Sequence, residues 1–132
     1  MCLERVSAPM TAYYRDWLRR TYGTEDALRR AWNRPDASFD TAVVPDTAAR
    51  RTGAGLFRDP AAEQPVVDYY RAQHAVVADD LLHYAALVKE AWPRPILVGS
   101  FFGYYFSTFG RQAAGCHLEM MRVFDSPLVD YV

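Results

Sequence analysis

Lysine is almost missing from this chain: Lys89 is its only copy, and arginine supplies the rest of the 15 cations. Against 16 acidic residues they leave a net charge of −1, which builds no field to gather nucleic acid or anionic lipid. Cysteine is scarce too. Cys2 and Cys116 are alone and neither lies in a CxxC, so a disulfide framework is excluded, and reduced, unpaired thiols fit the cytoplasm. No apolar run approaches the roughly eighteen residues that a membrane span needs. Residues 1–10 lack the basic n-region and apolar h-region of a signal peptide, although a lost N-terminus would be free to carry one. The phosphate loop GxxxxGK[ST], the dinucleotide fingerprint GxGxxG and the nucleophile elbow GxSxG are all absent. No cofactor is implied.

What is present is an ordinary globular composition, 51% hydrophobic and 23% charged over 132 residues, enough for one core. Ser7-Ala8-Pro9 opens a helix, and Met10, Tyr13, Tyr14, Trp17 and Leu18 recur three and four apart along it. Gly23 supplies the left-handed stop. Thr24 is an N-cap for a second helix, with Glu25 and Asp26 in its first turn and Asn33-Arg34-Pro35 at its end. Residues 33–62 read as a long irregular excursion with a short extended piece near Phe39–Val44. A helix of nearly thirty residues follows, starting near Ala61 or Glu63. Its expected apolar stripe is Val67, Tyr70, His74, Val77, Leu81, Tyr84 and Val88.

Pro93 and Pro95 end that helix and lead into Ile96-Leu97-Val98-Gly99-Ser100-Phe101-Phe102-Gly103, eight residues without a charge. Such a run reads as a strand buried on both faces. A helix over His117–Phe124 and a second apolar start, Leu128–Val132, complete a helix–strand–helix–strand order, the repeat of a parallel α/β sheet. The expected fold class is therefore α/β, a piece of a larger barrel or open sheet. Strands near 96–102 and 128–132 would have helices on one side, and open sheet edges would invite self-association.

Candidate chemistry is thin. Asp79 and Asp80 point about a hundred degrees apart on a helix and read as a solvated face. His74, on an apolar stripe, reads as a hydrogen-bonded core histidine rather than a catalyst. Cys116-His117-Leu118-Glu119 gathers three ligand types in four residues, but neighbours rarely share one tetrahedral ion, so no metal site is assigned. Position singles out Phe102, Gly103, Tyr104, Tyr105 and Phe106, just past a strand's C-terminal end, where ligands bind in α/β folds. They form either a ligand platform or the packed mouth of a core.

The segment Tyr14-Arg15-Asp16-Trp17-Leu18-Arg19-Arg20-Thr21-Tyr22-Gly23-Thr24 through Ala31-Trp32 resembles one that follows the fourth strand in family 42 β-galactosidases and their barrel relatives. Val66-Val67-Asp68-Tyr69-Tyr70 and Val98–Tyr104 are similar to the next helix and fifth strand. Gly115-Cys116-His117-Leu118 and Asp125-Ser126-Pro127-Leu128-Val129-Asp130-Tyr131 are similar to the approach to the sixth. The likeness covers about residues 8–132, with 1–7 as a non-matching start. Cys116 and Glu119 depart from it, standing where the relatives usually carry glycine and a small residue.

The resemblance implies a partial (β/α)8 TIM barrel, from the helix after strand 4 to strand 6, occupying residues 1–132. It implies a retaining glycoside hydrolase of β-linked sugars with two catalytic glutamates, neither of them in this segment; Glu4 is too close to the first helix to be assigned. No catalytic residue is named here. Phe102, Tyr104, Tyr105 and His117 are the expected sugar contacts, by ring stacking and by imidazole hydrogen bonding. The other reading is a non-catalytic carbohydrate-binding or interaction module derived from the same segment.

Overall fold

The computed structural model describes residues 7–51, 58–102 and 117–132. Its regular elements are helical: α1 (Ala8–Tyr22), α2 (Glu25–Trp32), α3 (Pro60–Ala91), a 3-10 turn (His117–Glu119) and α4 (Met120–Phe124). The chain divides into two compact units, Met1–Ala72 and Gln73–Val132, and the division falls within α3.

In the first unit the local signals act as expected. Ser7 caps α1 by accepting the Met10 amide on Oγ at 3.3 Å, and Gly23, at φ 69°, closes it by donating to the Arg19 carbonyl at 2.9 Å. Thr24 accepts the Ala27 amide at 3.2 Å to open α2, which ends at a left-handed Asn33. Tyr14, Leu18, Leu28, Trp32, Tyr69 and Ala72 form the core.

The excursion after α2 is turns rather than strand, yet Ala37, Phe39, Ala42 and Val44 are buried in that same core. Side chains of the helices satisfy its backbone. Arg29 Nε donates to the Ala37 carbonyl at 3.0 Å, Arg15 Nε donates to that of Ala42 at 2.8 Å, and Glu25 accepts the Phe39 amide at 3.2 Å. These three bonds give buried backbone groups of an irregular segment the partners that a strand ladder would otherwise supply.

The helix α3 begins with a short turn capped by Asp59 and is interrupted at Glu63 (φ −117°, ψ 15°), so Pro65 falls in the first turn of the main helix, where a missing N–H costs nothing. Its buried face differs from the expected stripe. Asp68, Ala72, Ala75, Ala78 and Ala85 are buried, whereas Val77, Tyr84 and Val88 are exposed. Alanines at helical spacing let neighbouring chain approach closely, so the small residues mark the packed face and several large ones face outward.

The expected partial barrel is not found. Among the described residues there is no sheet; one isolated parallel bridge joins Gly99 to Tyr131. The segment 96–102 is not buried on both faces either, since Leu97 is 74% and Phe101 91% exposed. Two short segments without further hydrogen-bonded neighbours cannot propagate a ladder. A polar clasp holds them instead. Asp130 donates its amide to the Val98 carbonyl at 2.7 Å, returns Oδ2 to the Val98 amide at 2.8 Å and pairs with Lys89 at 2.8 Å. No helix among the described residues is long and apolar enough to cross a membrane.

Candidate functional site

Within the second unit the C-terminal half of α3 and the extended segment 98–102 enclose an open cleft of about 420 Å³. The helix contributes Val77, Asp80, Leu81 and Tyr84, and the opposite wall carries Phe101 and Phe102. Phe102 is thus the one expected sugar contact that the structure places in a recess. Tyr104 and Tyr105 lie outside the described residues, and so does the ring of His117, whose backbone opens the 3-10 turn.

The cleft's chemistry is aromatic and aliphatic with one carboxyl group at its edge. Tyr84, 65% exposed, and Phe101 offer ring faces to solvent. Asp80 is exposed. Apolar rings beside an acceptor suit a ligand that has both an apolar face and hydrogen-bond donors. Tyr84 escaped the sequence reading because its position in the α3 period marked it as core. Asp80 was set aside with Asp79, but the two part company: Asp79 pairs with Arg122 of α4, and that bond raises the arginine's pKa. A second recess, lined by Lys89, Trp92, Arg94, Leu97 and Asp130, exposes an indole beside charged groups. The Lys89 ammonium and then the Val98 amide hold the Asp130 carboxyl below its usual pKa.

The first unit contains a polar centre that periodicity did not reveal. Asp68 is fully buried and three donors converge on it. The Tyr22 hydroxyl (2.8 Å) and Trp32 Nε1 (2.7 Å) donate to Oδ2, and Gln64 Nε2 donates to Oδ1 at 2.8 Å. Beside it Tyr14 donates to the Pro65 carbonyl at 2.9 Å and meets Tyr69 edge to face at 5.8 Å. Burial, then the neighbouring Asp68, pushes the Tyr14 phenol well above its ordinary range. Burial and the hydrogen bond to Asp68 do the same for Tyr22. The signal was present in the sequence: a buried tryptophan needs an acceptor for its N–H, and Asp68 follows at a helical position.

Three of the described glutamates are tied to neighbouring groups. Glu25 spends one oxygen on Arg29 and the other on the Phe39 amide, and Glu63 spends its two on Arg58 and the Asp59 amide. Glu119 lies 3.6 Å from Arg122. No group of three or more His, Cys, Asp or Glu among the described residues is placed to hold a metal ion. No family model, curated protein or solved structure matches this chain.

Proposed function

We propose that this chain is a carbohydrate-binding segment related to the family 42 β-galactosidases, able to hold a β-linked sugar and unable to cleave it alone. The observation that carries the reading is that the segments bearing the resemblance are bonded to one another. Tyr22 and Trp32 of the first motif both donate to Asp68 of the second. Gly99 of the third pairs with Tyr131 of the last, and Asp130 clasps Val98. Residues that recur together in a family do so for a physical reason, and mutual hydrogen bonding across 36 and 46 positions is such a reason. The likeness is kept for these residues and not for the sheet it implied.

Retaining hydrolysis needs a proton donor and a nucleophile on two carboxyl groups about 5–5.5 Å apart. Glu25 and Glu63 are engaged in structural bonds and Glu119 lies beside Arg122, which supports binding without turnover. The exposed rings of Tyr84 and Phe101 and the recessed Phe102 favour the non-catalytic reading over a purely structural one. Two cysteines outside any CxxC motif fit a cytoplasmic setting.

Saturation-transfer NMR with lactose and with a nitrophenyl β-galactoside tests the proposal. Transfer to the sugar ring protons is expected, weakened by Phe102→Ala, with no nitrophenol released. Absence of transfer from either glycoside refutes sugar binding. Release of nitrophenol by the chain, abolished by substituting one of its carboxylates, refutes the non-catalytic reading.

A further inference from the structure

His74 is 1% exposed, and its Nδ1 accepts the backbone amide of Leu118 at 3.2 Å. This bond fastens the 3-10 turn that leads into α4 onto α3 within the second unit. An imidazole nitrogen accepts only while it carries no proton; in the neutral ring that leaves the hydrogen on Nε2. Protonation would turn Nδ1 into a donor facing another donor. We propose that His74 is an acid-sensitive latch that holds the segment 117–124 against α3 in the neutral ring and loosens it when the ring is protonated.

Other groups set the limits of the effect. Charged side chains on the two elements near this contact include Arg71, one turn before His74, and Asp79 on α3, with Glu119 and Arg122 on the other side. Arg122 bonds to Asp79 and lies near Glu119. Asp80 lies toward the open cleft. A carboxyl group in water ordinarily titrates at about 4 and an imidazole at about 6.5. In the clasp at the C-terminal end, Asp130 is held below its ordinary pKa by Lys89 and the Val98 amide, so the clasp stays closed above that range and opens only as pH falls through the lowered value. The sign for His74 follows from the same linkage. The contact requires the deprotonated ring, so it is complete above the ring's pKa and is lost below it. Burial and the accepted amide both favour the neutral ring, so the latch opens only as pH falls through the lowered pKa of the folded ring.

Amide hydrogen exchange followed by NMR on the full chain tests this. The protection factor of the Leu118 amide is expected to fall roughly tenfold between about pH 7.5 and one unit below the His74 ring's own NMR midpoint, while amides of α1 keep theirs. His74→Gln keeps a side-chain acceptor that does not titrate, and should remove the pH dependence. His83→Gln, at an exposed histidine of the same helix, should not. Unchanged Leu118 protection across this range overturns the proposal, and so does equal pH dependence in His74→Gln. Should His74→Gln fail to fold, nitrogen-15 titration of the wild-type His74 ring decides instead. The Nδ1 midpoint must coincide with that of Leu118 protection, and separate midpoints overturn the latch.

Discussion

Removing the Asp68 carboxyl should be among the costliest single changes in the chain. Asp68→Ala takes the acceptor from three donors at once: the Tyr22 hydroxyl, the Trp32 indole and the Gln64 amide. Trp32 is 8% exposed, so its N–H cannot reach water, and an unsatisfied buried donor costs about 1–3 kcal/mol. Tyr22 is only partly buried, and its hydroxyl can be rehydrated at less cost. Gln64 is partly exposed and loses little. With the small cavity added, the expected loss is about 3–5 kcal/mol, a large part of the roughly 5–15 kcal/mol that holds a domain together. Asp68→Asn should behave differently. Its amide oxygen can take the Oδ2 place before Tyr22 and Trp32, and its NH2 then faces Gln64, whose own amide can turn to present oxygen. The cost falls to about 1–2 kcal/mol. Urea unfolding followed by tryptophan fluorescence measures both. An Asp68→Ala chain within about 1 kcal/mol of the parent, or Asn as damaging as Ala, would refute the argument that acceptor geometry organises this unit.

Two smaller predictions concern separate features. A Cβ at Gly99 would overlap the Tyr131 ring, and because that ring is 62% exposed it can swing aside, so Gly99→Ala should cost about 1 kcal/mol in urea unfolding. Adding Tyr131→Ala should cancel the cost, and two strictly additive substitutions would show that the ring is not the obstacle. Tyr14 and Tyr22 have raised pKa values in the folded chain, so their contribution is complete below the unfolded tyrosine's pKa of about 10 and is lost as pH rises beyond it toward the folded values. Urea midpoints should therefore be level up to about pH 9 and fall above about pH 10, with a shallower fall in Tyr14→Phe; an equal fall in that variant would place the effect elsewhere.

Local chemistry was legible and long-range chemistry was not. Ser7, Gly23, Thr24 and Asn33 end or start helices through bonds to residues three or four positions away, so their spacing contains the whole interaction. His74 was readable as a hydrogen-bonded core histidine for a similar reason: a polar residue on an apolar stretch of helix must find a partner. Its partner, the Leu118 amide 44 positions on, was not readable. The α3 stripe misled because large apolar residues were weighed above small ones. Val77, Tyr84 and Val88 share a period with the true face, but Ala72, Ala75, Ala78 and Ala85 are the residues that let other chain come close.

The strand reading failed for a reason that bears on the candidate site. An uncharged run is buried on both faces only if elements cover both faces, and hydrophobicity alone does not say that they are there. At 96–102 the described residues supply one bridge and the Asp130 clasp, leaving Leu97 and Phe101 outward. The same exposure makes rings available at the cleft with Tyr84 and Phe102, where a continuous sheet would have buried some of them. Asp130 then does work that a ladder would otherwise share, because its amide, its carboxyl and its pairing with Lys89 all fix Val98 beside Tyr131. The wall of the cleft is thus held by the Asp130 clasp and one bridge rather than by a sheet.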